Sequence, residues 1–285
     1  MRKTPGPPAE PAEPAEPAAR AEPLATGLAS VTLDELAVDD EDAFRAVALY
    51  ADLKEVLLRA RYPFRVLPPS HAGRWDRALF LNLTYWGASE GGDVLTERRL
   101  SADVVAHVAW HHLAARAVGS SSVDAMLLGE SIASAFDVLL VGRLLGRSVR
   151  SSFLDSQVPA MAEAARASGL SARRFEALLG EIAGDPEGAF ADLRALLFTA
   201  ARALHDCTSA SEAQLVCARF DDHRFAALLH HYELSNWILF ARAHAAAGAG
   251  VDARAREVDR ALREDGAPLE WLAKAWIAPA LAGRS

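Results

Sequence analysis

Ser101-Ala102-Asp103-Val104-Val105-Ala106-His107-Val108-Ala109-Trp110-His111-His112-Leu113-Ala114 continues to Val118 and stops at Gly119. Ser101 or Asp103 can cap the first turn, and the apolar residues that follow run unbroken by Gly or Pro. The stretch reads as one helix. A second reads from about Val123 to Leu145 and ends at Gly146. These two helices set the character of the chain, which is expected to be predominantly helical.

Helix signals continue toward the C-terminus. Pro159, Ser171 and Asp185-Pro186 mark further starts, the last being a cap followed by Pro at the first helical position. Ser209-Ala210-Ser211-Glu212 has the form of a capping box. Asp221 or Asp222 then opens a long helix through His230, His231, Trp237 and His244 to Gly248. A polar helix from Val251 and a last one near Pro268–Ile277 complete the series.

Toward the N-terminus the pattern changes. Phe64-Arg65-Val66-Leu67 ends at Pro68-Pro69, the segment Ala78–Trp86 is rich in strand formers, and Gly91-Gly92 precedes Asp93-Val94-Leu95-Thr96. A small sheet of two or three strands is expected within 62–97. Before it, a helix is expected from Asp39 or Asp40 to about Ala60, closed by Pro63. Order should begin near Thr32, where Thr32-Leu33-Asp34-Glu35 has capping-box form. Residues 5–23 carry a Pro-Ala-Glu repeat, which has nothing to bury and reads as an extended, solvated tail. A repeated Pro can engage an aromatic groove, although a plain spacer suffices.

The expected fold is therefore α+β, predominantly α. A tail (1–30) leads into a region with the small sheet and the helix pair (31–150) and then a helical C-terminal bundle (151–285). No period of 20–50 residues recurs, which argues against a solenoid.

Composition narrows the function classes. Hydrophobic residues make up 51% of the 285 residues and charged residues 24%, enough for a real core. A net charge of -8 argues against a nucleic-acid surface. No basic start precedes an early apolar run, and stretches such as Val138–Leu145 are too short to span a bilayer, so a cytoplasmic protein without a membrane partner is expected. Cys207 and Cys217 are too few for a disulfide framework and read as thiols in a reducing compartment. A protein or peptide partner of unknown identity is the remaining expectation.

His107 and His111 stand four apart, so their imidazoles lie one turn apart on one helical face and can converge on one ion. The next helix offers Glu130, with 18 residues between it and His111. Here the chain resembles the gluzincin metallopeptidases, whose motif is His-Glu-x-x-His with a further Glu on the next helix, and the gap is the one usual in their aminopeptidase branch. The resemblance covers about 78–145. It implies zinc held by His107, His111 and Glu130, with a small sheet feeding the helix pair.

The sequence departs from the family where the chemistry is done. The general base, directly after the first His, is Val108 here, and valine cannot take a proton from a metal-bound water. The family's acid four residues after the ligand Glu is Ser134, while Asp137 shares the Glu130 face and could orient a ligand His instead. The resemblance thus implies zinc binding without peptidase activity and without catalytic residues. The residues alone equally allow a metal-free helical interaction or scaffold protein whose histidines are structural. His205-Asp206 reads as a helix end, and His230-His231-Tyr232-Glu233 as core packing that could face a pocket. No Walker loop, dinucleotide fingerprint or nucleophile elbow is present.

Overall fold

The structure is a computed structural model that describes residues 27–85, 93–119, 122–147, 149–245 and 252–283. The tail at 5–23, Trp86, the Gly91-Gly92 turn, Gly248 and Val251 lie outside them. Five short strands and thirteen α-helices follow one another among the described residues.

Strand β1 (Ala29–Val31) precedes Thr32, whose capping box is real: the Thr32 N–H donates to Glu35 Oε2 at 2.9 Å. The box closes a single 3₁₀ turn, Leu33–Glu35. β2 (Ala37–Asp39) follows, then α1 (Glu41–Phe44) and α2 (Tyr50–Ala60). The single helix expected from Asp39 or Asp40 to Ala60 is therefore two. On one unbroken helix Phe44 and Tyr50 would point in different directions. The break, with Leu49 at φ 73°, brings both into the core with their rings 5.5 Å apart.

β3 (Phe64–Val66) leads to α3 (Trp75–Tyr85), β4 (Val94–Leu95) and β5 (Arg99–Ser101). The strand character read into 78–86 is thus overturned, since Trp75–Tyr85 is helical. Ala78 and Leu81, three apart, bury together against Leu67 and Val94. Helical spacing and tertiary packing outweigh a strand propensity that is strongly context-dependent. Asn82 on this helix borders the sheet, accepting from the Val94 N–H at 2.7 Å and donating to the Val94 carbonyl at 3.1 Å.

The sheet has order β1-β3-β4, antiparallel at Val31↔Phe64 and parallel at Arg65↔Val94. A separate parallel ladder pairs β2 with β5 at Val38↔Leu100. It matters for the site because β5 runs directly into α4 (Ala102–Val118), the helix of His107 and His111.

The remaining helices are α5 (Val123–Leu145), α6 (Ser152–Ala167), α7 (Ala172–Gly184), α8 (Pro186–His205), α9 (Ala210–Ala218), α10 (Leu234–His244), α11 (Ala253–Glu264), α12 (Pro268–Leu272) and α13 (Ala278–Ala282). A π-helical turn at Ala273–Ile277 joins the last two. Ser171, Asp185 and Ser209 cap α7, α8 and α9 as expected. Pro159 does not start a helix but lies inside α6. The long helix expected from Asp221 is replaced by turns, a 3₁₀ stretch at Ala226–Tyr232 and then α10. Phe225 and Leu228 are both buried at a spacing of three, which a 3₁₀ helix places on one side.

α5 is the axis of the core. It is largely apolar around its circumference, as a mostly buried core helix should be, and packs against α4, α6, α7, α8, α10 and α11. By length and hydropathy it could cross a membrane, but 83% of its apolar window is buried inside the protein. At Gly142 an added Cβ would lie 2.5 Å from the Ile182 carbonyl oxygen, so the glycine sets how closely α7 approaches. Two ion-pair clusters fasten the C-terminal helices. Arg202 and Arg256 reach the buried Asp124 of α5 at 2.5 and 3.0 Å, and the buried Arg194 of α8 meets Asp259 of α11 at 2.5 Å.

Candidate metal centre

α4 and α5 pack side by side, and Gly129 lies at their contact, where an added Cβ would be 3.7 Å from His111 Nδ1. His107, His111 and Glu130 come together there. One ligand atom from each lies within 4.8 Å of the other two. The two Nε2 atoms of His107 and His111 are 3.2 Å apart, and His111 Nε2 is 3.5 Å from Glu130 Oε2. His111 and Glu130 keep 19% and 18% of their side-chain surface exposed, so a dissolved ion can reach the cluster.

Asp137, seven residues after Glu130, approaches His107 Nδ1 at 3.3 Å. A carboxylate only accepts, so Nδ1 carries the hydrogen and Nε2 is left to face His111. This is the arrangement in which an outer carboxylate fixes the tautomer of a metal-ligating histidine. Burial opposes the His107 imidazolium, but Asp137, Glu130 and Asp93 outweigh it and raise the group to about 9. Burial likewise favours neutral Glu130, yet His111 and His107 hold its carboxyl below the usual range. Without an ion, a proton shared between the two Nε2 atoms satisfies the 3.2 Å contact. A metal cation would take the place of that proton.

Other sequence candidates fall elsewhere. His112 turns away to pack edge-on against Tyr62, and burial followed by the nearby Arg116 lowers its basicity. Val108 is 4% exposed and belongs to the apolar core, so the position directly after His107 faces packed side chains. His205 ends α8 beside Asp206, as a helix-end histidine should. Cys207 and Cys217 are both free thiols.

A cavity of about 240 Å³ adjoins the cluster, lined by Ser134 and Asp137 of α5, Gln157 of α6, and His231, Tyr232 and Trp237. His231 Nε2 meets Gln157 Oε1 at 3.2 Å, and burial holds this imidazole below its ordinary basicity. That His231 and Tyr232 could face a pocket was legible once the C-terminal helices were allowed to cover α5. Gln157 was not, because nothing in its local sequence marks it. No protein-family model, curated protein or solved structure matches the chain.

Proposed function

We propose that this chain binds zinc through His107, His111 and Glu130, as a degenerate gluzincin-like protein without peptidase activity. The separations of 3.2 and 3.5 Å carry the reading. Ligand atoms at about 2.0–2.1 Å on a tetrahedral zinc stand about 3.3 Å from one another. Two imidazoles and a carboxylate are a donor set that suits zinc and leaves a fourth position for water or a bound ligand. Asp137 supplies the outer hydrogen bond that such a site needs. Val108 supplies no base and faces the core, so a metal-bound water would find no residue there to take its proton. Two free thiols fit a reducing, cytoplasmic setting.

One observation favours a second reading. The same 3.2 Å contact is satisfied by a shared proton, since His107 titrates only at about 9. The chain would then be a metal-free helical interaction protein with a polar tie between α4 and α5. Elemental analysis after purification without chelators separates the two. Near one zinc per chain is expected, absent in His107→Ala and Glu130→Ala, with affinity about 10- to 100-fold weaker in Asp137→Ala. Metal-free wild type whose melting temperature ignores added zinc would establish the second reading.

A further inference from the structure

A second cavity, of about 610 Å³, opens on another part of the molecule where the C-terminal end of α4, α11, the π-helical turn and α13 meet. Its floor is apolar, with Leu113, Val258 and Trp276 all buried. Trp271 stands edge-on to Trp276 at 6.4 Å between centroids. At its margin are Arg116 of α4 and Arg254 of α11, with Glu257 as the single carboxylate in the lining. Neither guanidinium makes an ion pair or side-chain hydrogen bond among the described residues, and only Arg254 feels a nearby carboxylate, Asp252, in a protein whose net charge is -8. A groove with tryptophans below and two arginines outside any ion pair at the edge suits a ligand with one apolar ridge and one acidic ridge.

The chain carries such a segment. Pro8, Pro11, Pro14 and Pro17 recur every three residues, and Glu10, Glu13 and Glu16 recur in step with them, with no basic residue between Pro8 and Pro17. A polyproline II helix has three residues per turn. In that conformation all four prolines form one ridge and all three glutamates another. Proline ridges bind to tryptophan-lined grooves because the rings stack on flat indoles and little backbone freedom is lost. We propose that residues 8–17 dock in this groove of their own chain, prolines on Trp271 and Trp276, glutamates toward Arg116 and Arg254.

The connection has reach. Nine residues lie between Pro17 and Gly27, ten peptide steps that span up to roughly 33 Å. The described chain begins at Gly27 beside Pro68; a few residues on, the 3₁₀ turn at Leu33–Glu35 packs on α2, and α2 in turn packs on α13 and the π-helical turn. Arg59 of α2 also donates to the Leu281 carbonyl of α13. α2 thus links the Leu33–Glu35 turn to the elements that wall the groove. The inference does not depend on zinc.

Disulfide trapping in the full chain tests it. In a Cys207→Ser, Cys217→Ser background, Ala12→Cys is combined with Ala275→Cys, which lines the groove, or with Gln214→Cys on α9 as the control. Docking raises the local concentration at the groove, so the Ala275→Cys pair should close within one chain about tenfold faster than the control. Arg116→Glu with Arg254→Glu should abolish the difference, and adding Glu10→Lys, Glu13→Lys and Glu16→Lys should restore it. Equal closure rates, or a rate indifferent to both charge reversals, would overturn the proposal. So would cross-links formed only between chains, which would make the occupant a second copy.

Discussion

His107 is held from both sides, by Asp137 at Nδ1 and by His111 at Nε2, and that makes its protonation a readable quantity. In the metal-free protein its value of about 9 lies above the ordinary 6.5. A raised folded value means that the proton stabilises the fold. The contribution is fully present below pH 6.5 and is lost as pH rises through about 9. The melting temperature of chelator-treated wild type should therefore fall between pH 7 and 9.5, and that fall should be absent in His107→Gln. Zinc reverses the sign, because it must displace the same proton. Affinity should rise with pH by about tenfold per unit until His107 is already deprotonated. Calorimetric titrations at pH 6.5, 7.5 and 8.5 check this, and a pH-independent affinity would remove His107 from the ligand set.

Between elements, the most consequential contact is the buried pair of Arg194 on α8 and Asp259 on α11, which also receives Arg263 at 2.9 Å. Breaking a buried pair costs more than replacing it, since a lone buried charge has no solvent to turn to. Asp259→Asn is expected to destabilise by about 3–5 kcal/mol, and Arg194→Met by less. Urea unfolding of the two variants gives the comparison, and equal losses would mean that the pair is already solvated. Neither partner was legible as a pair, because they stand 65 positions apart and each alone looks like a surface charge. Local signals fared better. Caps at Ser171, Asp185 and Ser209 and the glycine after α4 marked helix ends correctly, because those signals act within one turn. The segment 78–86 misled because its residues favour a strand in isolation, while the packing of Ala78 and Leu81 on Val94 is settled only by the fold. The strands β1 and β2, three residues each, carry too few residues to show any period. The His107–His111–Glu130 cluster was legible because i,i+4 on one helix is a relation local geometry preserves, while the resemblance singled out Glu130 on the next helix.

Across the whole molecule, one apolar core runs from Val31 in β1 to Ile277 in the π-helical turn, and α5 passes through its middle. Glu130 lies in the first half of that helix, while its other turns contact α7, α8, α10 and α11. An ion held between α4 and α5 is therefore attached to the element that the rest of the fold encloses. Amides of α5 and α8 are expected to exchange with solvent only when the whole domain opens, whereas α9, with Val216 its only buried residue, should exchange through local fraying. A ligand that binds only the folded state raises the global opening free energy, by about 4 kcal/mol when its concentration is 1,000 times its dissociation constant, and leaves local openings far from it unchanged. Zinc should slow exchange in α4, α5 and α8 together and leave α9 as it was. Protection confined to the turns around His107 and His111 would mean that the ion steadies one helix face without joining the cooperative core. No change in α5 at all would show that the three ligand atoms meet without holding an ion.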